Sequence, residues 1–373
     1  MSETSIQDRT AYGARLSGAL WASLRHHRLL LALGLGYSLL AHGLLGLGGY
    51  PHELALGVYV LGALLPPAAA AVCVLLGHLL QHVFHVRPFR PRGLLATIRE
   101  DEKFGLERVA MAMVPLLLVP LFSSAFTSVK NAIPLIQPFA YDQAFMELDR
   151  ALHFGRHPWE LLQPVLGHAL ATSIVSYLYN LWLPLMYLIL CWQVFSLRDL
   201  RLRQQYLVSF ILAWALLGNG LALLLSSAGP CFYGPVVGGP DPYAPLMDYL
   251  RTADAGFTNW SLEAQRYLWE NYQSTGIAVG GGISAMPSLH VAIATLQALL
   301  GWRISRRLGW LLTAYALVIL LGSVHLGWHY AVDGYLSIAL MLVIWKLAGL
   351  WRGPDEPRHA LAGAAYSAVR GLR

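Results

Sequence analysis

Three histidines and one aspartate stand at the ends of apolar runs in the last quarter of the chain: His290, His325, His329 and Asp333. An ionisable side chain next to hydrocarbon is costly, so each of them is a candidate functional residue. In "HLGWHYAVD" (325–333), Asp333 follows His329 by four residues, which on a continuous helix places both side chains on one face. The carboxylate could then hold one ring N–H and leave the other nitrogen as a nucleophile. The same spacing also fits a hydrogen bond that only staples two helices together.

The stretch "SAMPSLH" (284–290) places His290 at the start of another apolar run. Proline is tolerated at the first position of a helix, so Pro287 is predicted to open this helix after a tight loop. The N–H groups of the first turn, with the hydroxyl of Ser288, would then form an anion site within reach of His290. An N-cap loop with an incidental histidine is the alternative.

The elements that must position these residues are membrane helices. The 373-residue chain is 56% apolar and 12% charged, with a mean hydropathy of +0.51, whereas soluble domains are about a quarter charged. Apolar runs of the length that crosses about 30 Å of hydrocarbon recur along the chain. They lie at 29–48, 55–83, 106–129, 166–195, 205–228, 287–302, 308–329 and 334–351. We therefore predict an all-α, polytopic membrane protein with about eight transmembrane helices.

The net charge of +6 is distributed as in a membrane protein and not as in a nucleic-acid-binding protein. Of the 26 basic residues, 21 lie in every second loop or at the termini, whereas the long loops 131–165 and 229–286 hold four arginines against nine acids. The positive-inside rule then predicts that both termini are cytoplasmic and that the two long loops, with His290 and His329 beside them, lie outside.

Several connecting segments have a predicted form. The first two apolar runs are expected to form a peripheral hairpin facing lipid. The basic segment 82–103 resembles a linker on the inner membrane surface. The loop 131–165 is predicted to contain one or two short interfacial helices, and the aromatic-rich loop 229–286 to form a packed lid.

The N-terminus argues against a cleavable signal peptide, and the cysteines argue against a disulfide-rich or cysteine-metal protein. Roughly twenty-five mixed residues precede the first apolar run, which is too long for a cleavable signal peptide. Cys73, Cys191 and Cys231 are odd in number, and two of them lie inside apolar runs, so neither a disulfide framework nor a cysteine metal site is expected.

The two motifs together resemble a known family. "PSLH" followed by "HYAVD" resembles the second and third signature motifs, P-S-G-H and S-R-x5-H-x3-D, of the type 2 phosphatidic acid phosphatase (PAP2) superfamily. Leu289 stands at the glycine of the second motif, and "SAMPSLHVA" is closer to the inositol phosphorylceramide synthase (Aur1-like) branch. The resemblance covers about 106–350 and implies a six-helix PAP2-like core. The expected domains are 1–105 (N-terminal segment, two accessory helices and linker), 106–352 (catalytic membrane domain) and 353–373 (cytoplasmic tail).

The resemblance implies a role for each chemical residue. His329 would be the nucleophile that takes a phosphoryl group, Asp333 its orienting partner, and His290 the general acid that protonates the leaving oxygen. The family's chemistry uses neither a metal nor another cofactor, and the histidines here lack the spacing of a metal site.

The first motif of the family, K-x6-R-P, is matched imperfectly. "KNAIPLIQP" (130–138) keeps the spacing but has Gln137 at the arginine position, and Ser323 replaces the arginine of the third motif. Lys130, the one lysine at an outer helix end, could neutralise charge on the phosphate. A lysine that snorkels to the interface is the alternative.

Other residues must therefore help to bind the phosphate and its head group. "LDRALHFGRHPW" (148–159) resembles the L-D-x-x-L-F-G-G region of the Aur1-like branch, which implies a part in head-group binding. His325 could contribute, or it could be a buried helix-packing partner. The candidate substrate-binding residues are Lys130, Ser288, Gln137, Asp149, Arg150, Arg156 and His325.

The function implied is transfer of a phosphoinositol-like head group from a phospholipid to a lipid alcohol such as ceramide. A phosphatase acting on phosphatidate, a sphingolipid phosphate or a polyprenyl (di)phosphate is the alternative. Two other functions are disfavoured. A transporter with a proton relay would place ionisable residues near the bilayer midplane, whereas here they lie at helix ends. A structural scaffold would not need all three catalytic residue types. Membrane lipids are the expected partners, in a bacterial inner membrane with the site on the outer face; the sequence predicts no oligomeric state.

Overall fold

A computed structural model describes residues 3–85, 105–274 and 278–351, and within these ranges the regular structure is entirely helical. Ser305, for example, ends one helix and caps the next, because its hydroxyl accepts the N–H of Leu308 at 3.2 Å. The helices are α1 (Glu3–His26), α2 (Arg28–Leu47), α3 (Leu56–His85), α4 (Leu106–Ile136), α5 (Asp142–Leu152), α6 (Pro158–Leu166), α7 (Ala169–Asn180), α8 (Trp182–Phe195), α9 (Leu200–Leu212), α10 (Tyr233–Val237), α11 (Ala244–Asp254), α12 (Trp260–Gln273), α13 (Leu289–Ile304), α14 (Arg306–His325) and α15 (Ala331–Leu350).

All eight apolar runs form helices, which confirms the predicted all-α membrane architecture. Seven segments are long and apolar enough to span a membrane: Arg28–Leu47, Leu56–Leu80, Leu106–Ile136, Ala169–Phe195, Leu200–Leu224, Arg306–His325 and Ala331–Leu350. The eighth, α13, is shorter at 16 residues. The chain is an integral membrane protein.

Two of the spanning segments are not regular throughout. The fourth is broken at Leu181 into α7 and α8, because Pro184 has no N–H to offer the carbonyl of Asn180. The fifth continues from α9 through a π-helix, Ala213–Leu221, to Ala222–Leu224. Asn219 in that π-helix donates to the carbonyl oxygen of Phe126 on α4 at 3.1 Å.

Helix α13 is the centre of the bundle. Val291, Ala292, Ile293 and Leu296 have no exposed surface. Helices α8, α9, α14 and α15 all pack against α13. A helix enclosed by protein in this way need not match the bilayer thickness by itself, which is consistent with its short length.

The N-terminal helices differ from the predicted lipid-facing hairpin. The polar first segment forms α1, and α2 packs closely on the core, where the rings of Tyr37 and Phe122 lie 4.8 Å apart. Helix α3 is peripheral as predicted, since none of its most apolar window is buried. A cavity of about 1280 Å³ separates α3, along residues 66–74, from α8 and the start of α4.

Both long loops are folded as predicted. The loop after α4 contains the short helices α5 and α6, and the second long loop contains α10, α11 and α12. We call the end of the bundle that carries these loops the site face. Its orientation in a cell stays a prediction. Most of the linker 82–103 and the tail 353–373 lie outside the described residues.

Candidate active site

The three residues predicted to carry the chemistry meet at the site face. His290 lies in the first turn of α13, His329 in the turn between α14 and α15, and Asp333 in the first turn of α15. The ring centroids of His290 and His329 are 5.9 Å apart, with the planes at 61°. Nδ1 of His329 lies 3.3 Å from Oδ2 of Asp333. One phosphoryl group can therefore contact both imidazole rings.

The hydrogen bonds of His329 assign its tautomer. Nδ1 lies 2.9 Å from the carbonyl oxygen of Ala285, in addition to its contact with Asp333. A carbonyl oxygen can only accept, so Nδ1 must carry the proton and donate it. Nε2 then keeps its lone pair, which is the arrangement that a nucleophilic histidine requires. The Ala285 carbonyl had no signal in the sequence, because a backbone oxygen carries no residue-type information.

The turn that carries His329 is held by backbone contacts. The N–H groups of Trp328 and His329 both donate to the carbonyl oxygen of Ser323, at 2.9 and 3.1 Å. His329 and Asp333 do not lie on one continuous helix, since α15 begins only at Ala331. The turn nevertheless brings the two side chains together, and Ser323, at the position of the motif's arginine, contributes its carbonyl oxygen instead of a charge.

Burial favours the neutral form of His329, whose side chain is 7% exposed. Burial lowers the pKa of this imidazole below its ordinary value of 6.5; the hydrogen bond to Ala285 acts in the opposite direction, and the positive charge of Lys130 lowers it further. A neutral ring at physiological pH has its Nε2 lone pair available for attack on phosphorus.

His290 sits in an aromatic enclosure that sequence reasoning missed. Its ring stacks on that of Tyr179 at 4.8 Å between centroids, and the Trp182 ring lies at 4.3 Å. Trp182 Nε1 also donates to the backbone carbonyl of His290 at 3.0 Å. Tyr179 and Trp182 are three residues apart and share a face of the α7–α8 segment, but aromatic residues in an apolar run are equally typical of lipid-facing surface.

Lys130 lies near the end of α4 and acts on the same centre. When it is protonated, its ammonium group repels the charged forms of both His290 and His329. Gly282, in the loop before α13 with φ of +88°, closes over it: a Cβ at Gly282 would lie 2.7 Å from the carbonyl oxygen of Lys130 and 2.8 Å from its Cγ. Only glycine combines this φ with so close an approach. The predicted role of Lys130 in binding phosphate stays a prediction, and its position is consistent with that role.

The start of α13 differs in detail from the prediction. Pro287 does not open the helix, because α13 begins at Leu289 and Ser288 is its N-cap. The hydroxyl oxygen of Ser288 accepts the N–H of Val291 at 3.4 Å, and the Ser288 N–H lies 3.4 Å from the carbonyl oxygen of Asp333. The hydroxyl proton of Ser288 remains as a donor for an anion at this helix start.

Leu289, the residue that replaces the motif's glycine, packs into a gap on the π-helix that continues α9. A Cβ at Gly218, in the π-helix, would lie 2.6 Å from Cδ1 of Leu289 and 2.8 Å from Cε2 of Phe126. The missing side chain at Gly218 therefore provides the space that Leu289 occupies.

Three predicted phosphate ligands either form other contacts or face solvent. Gln137 ends α4, and its carbonyl oxygen accepts the hydroxyl of Ser226 at 2.9 Å. Arg150 is exposed and its Nε donates to the carbonyl oxygen of Gly155 at 3.3 Å, and Arg156 is exposed. Substrate contacts of Gln137, Arg150 and Arg156 remain predictions.

His325 is placed as a packing residue. It has no exposed surface, and its Nε2 lies 2.9 Å from the hydroxyl of Thr172 on α7. That hydroxyl also lies 2.7 Å from the hydroxyl of Tyr249 on α11. These contacts join α14, α7 and α11, as the packing interpretation expects, and the predicted substrate role of His325 is untested.

Asp149 and a neighbour that we had not predicted, Asp142, are bound to the turn around His329. The oxygens of Asp149 accept the N–H groups of Ala331 and Val332 at 2.8 and 3.0 Å. Asp142 accepts the hydroxyl of Tyr330 at 2.8 Å. Head-group binding by Asp149 remains a prediction, since both hydrogen bonds of its carboxylate are to backbone N–H groups.

A family model matches residues 143–347, and its description is the PAP2 superfamily. The chain belongs to the PAP2 superfamily. The members of the PAP2 superfamily are in general phosphatases or phosphotransferases. The matched range includes His290, His329 and Asp333 and begins after Lys130, and it does not distinguish the Aur1-like branch. No curated protein and no solved structure matches this PAP2 chain.

Within the ranges that the structure describes, no group of three or more histidine, cysteine, aspartate or glutamate side chains is placed to hold a metal ion. The metal-independent chemistry implied by the resemblance stays a prediction for this PAP2 chain.

Proposed function

We propose that this protein transfers a phosphoryl-linked head group, of the phosphoinositol type, from a phospholipid to a lipid alcohol such as ceramide. His329 is the nucleophile, Asp333 orients it and His290 is the proton donor. The membership in the PAP2 superfamily supports phosphoryl chemistry of this kind. The site on the outer face of a bacterial inner membrane is part of the same proposal.

The observation that carries the proposal is the charge around the two imidazole rings. Among the described residues, Lys130 is the one cationic side chain that acts on both His290 and His329. A phosphodiester carries one negative charge, whereas a phosphomonoester carries about −1.5 to −2 at neutral pH. Once His290 has given its proton to the leaving oxygen, Lys130 is the cation left beside the phosphoryl group on His329. One lysine then matches the single negative charge of a group taken from a phosphodiester, whereas a group taken from a phosphomonoester would keep uncompensated charge in a buried site.

The reaction runs in two balanced steps. Nε2 of His329 attacks phosphorus and the bond from phosphorus to the diacylglycerol oxygen breaks. His290, whose protonated form is favoured once the negative phosphodiester is bound beside it, gives its proton to that oxygen. The head group is then a phosphoramidate on His329. In the second step the acceptor hydroxyl attacks phosphorus and gives its proton to His290, and the bond from phosphorus to nitrogen breaks. Asp333 stabilises the charge that builds on the His329 ring during attack.

The decisive experiment compares lipid donors. The purified protein in nanodiscs would be given a phosphodiester, phosphatidylinositol, or a phosphomonoester, phosphatidate, each with and without ceramide, and the products would be measured by mass spectrometry. We expect head-group transfer from the phosphodiester and an acid-labile phosphoenzyme that His329→Ala abolishes. Faster release of inorganic phosphate from phosphatidate would instead establish the phosphatase alternative. Normal turnover by His329→Ala would remove the nucleophile assignment altogether.

A further inference from the structure

Two buried carboxylates lie on one face of the interfacial helix α5. Asp142 and Asp149 are seven residues apart, close to two helical turns, so their side chains point the same way. Their exposed fractions are 2% and 1%. A carboxylate is buried at this cost only where hydrogen bonds replace its water. Those hydrogen bonds identify the segments of the protein that α5 binds.

Asp149 binds the start of α15. Its Oδ2 accepts the N–H of Ala331 at 2.8 Å and its Oδ1 accepts the N–H of Val332 at 3.0 Å. These are two of the first N–H groups of α15, which have no partner within the helix. A negative charge is also favoured at this end of the helix dipole. Asp149 therefore fixes the turn of α15 that contains Asp333.

Asp142 binds the other side of the same turn. Its Oδ1 accepts the hydroxyl of Tyr330, the residue next to His329, at 2.8 Å. Its carboxylate also accepts the N–H of Gly229 at 2.8 Å and, through both oxygens, the N–H of Ala228 at 3.0 and 2.8 Å. One carboxylate thus joins the beginning of the second long loop to the residue that follows the nucleophile.

The second long loop also contacts the His329 turn directly. Cys231 donates its N–H to the carbonyl oxygen of Gly327 at 2.8 Å. Gly229, with φ of +97°, approaches so closely that a Cβ there would lie 2.7 Å from the carbonyl oxygen of Trp328 and 3.1 Å from Cβ of Ala285. Ala285 is the residue whose carbonyl holds Nδ1 of His329. Asp142 therefore secures the loop that packs against the His329 turn and against Ala285.

We propose that Asp142 and Asp149 are positioning residues for the nucleophile: from α5 they clamp the segment 329–333 at Tyr330 and at the first turn of α15. The proposal rests on the proposed function in that His329 is the group that attacks phosphorus. In this proposal α5 supports catalysis by positioning His329, without contacting the substrate. An error of about 1 Å in the position of a reacting group is enough to slow an enzyme about a hundredfold.

The kinetic test uses Asp149→Asn, Asp142→Asn and Tyr330→Phe in nanodiscs, with Glu147→Gln as the control. Glu147 is exposed on the same helix and contacts only Gln143 among its described partners. We expect each aspartate substitution to lower kcat about ten- to a hundredfold, with KM within about twofold of wild type. Tyr330→Phe, which removes a single hydrogen bond from Asp142, should lower kcat less, and Glu147→Gln should leave both constants unchanged.

A second readout does not depend on which lipid is the substrate. In protein labelled with ¹⁵N-histidine, the ring resonances of His329, assigned by their loss in His329→Ala, should show a proton fixed on Nδ1. We expect this signature to broaden or shift in Asp149→Asn and Asp142→Asn but not in Glu147→Gln. This result would stand even if no lipid transfer were found, so it separates the clamp from the proposed reaction.

Two results would overturn the clamp. A raised KM with an unchanged kcat would make Asp142 and Asp149 substrate ligands. Unchanged kinetics together with an unchanged His329 resonance would show that the carboxylates only stabilise the fold. If an aspartate variant fails to fold, Tyr330→Phe tests the same connection with a smaller change, and normal kcat and resonances in Tyr330→Phe would then count against Asp142.

Discussion

Helices α13 and α3 are both apolar, yet they occupy opposite environments. The residues of α13 from Val291 to Ala294 have no exposed surface. Helix α3 has a more apolar sequence, and none of its most apolar window is buried in the protein. Hydropathy therefore predicts that a segment enters the membrane and does not predict whether its neighbours are protein or lipid.

Polar residues distinguish the two helices. In α13, Gln297 has no exposed surface, and the hydroxyl of Thr295 returns to the carbonyl oxygen of Val291 at 2.8 Å. In α3, by contrast, Tyr59 near the first residue forms a hydrogen bond to the bundle, between its hydroxyl and that of Thr127 on α4. Polar side chains are rarely placed against lipid, so a buried glutamine and a buried threonine mark α13 as a helix that faces protein.

The largest effect should come from the turn that packs beside α13. Asp333→Asn keeps the shape of the side chain but removes the charge that stabilises the imidazolium of His329. We expect kcat to fall by about a thousandfold or more, by analogy with other carboxylates that orient a catalytic histidine. Single-turnover formation of the phosphoenzyme would measure it. Asp248→Asn, on the exposed surface of α11, is the control, and similar losses in both variants would contradict the orienting role.

A smaller loss of activity is expected at the end of α4. Lys130→Met removes the positive charge that acts on both imidazole rings and should lower kcat by about a hundredfold, the order found when one charge-stabilising group is removed. Lys346→Met, on the exposed side of α15, is the matched control. Equal activity of Lys130→Met and wild type with a phosphodiester donor would refute the role of Lys130.

The stability of the bundle should respond to the same substitution very differently in the two helices. Leu296 in α13 is fully buried and Leu76 in α3 is 50% exposed. Leu296→Ala leaves a cavity in protein and should cost about 2 to 5 kcal/mol of unfolding free energy. Leu76→Ala should change the melting temperature in detergent little, because lipid or detergent fills the space. Equal shifts in melting temperature would mean that α3 is packed against protein in solution.

The smallest effect is expected at the attachment of α3. Tyr59→Phe removes its hydrogen bond to Thr127 and should cost at most about 1.5 kcal/mol, with no change in transfer activity. Thermal melting and the lipid assay on one preparation would check both. A several-fold loss of activity would make α3 part of the catalytic unit and would end the contrast with α13.

The sequence predicted the spanning segments, and it singled out three residues that the structure brings together, because both depend on residue type and short spacing. Apolar runs locate helices. His290, His329 and Asp333 are ionisable residues at helix ends, which are rare enough to stand out.

What the sequence could not predict depends on distant segments. The carbonyl of Ala285, which holds Nδ1 of His329, comes from 44 residues away in the chain. Asp142 reaches Tyr330 across 188 residues. Neither the types of the residues nor the local hydrophobic periodicity of the sequence indicates a contact between segments so far apart. Pro287 was assigned to the first helical position because proline fits there, but the hydroxyl of Ser288 provides a better cap one residue later.

The contact between Leu289 and Gly218 changes how a departure from a motif is interpreted. The volume added at Leu289 is matched by volume removed on another helix, 71 positions earlier. The two positions are therefore sterically coupled: a larger residue at 218 alone creates a clash, and a smaller residue at 289 alone leaves a cavity. Gly218→Ala should be harmful in this background and less harmful beside Leu289→Gly, where only the clash with the Phe126 ring remains. A signature motif written along the chain thus omits the residue that makes room for its own side chain, and that residue lies in the π-helix after α9.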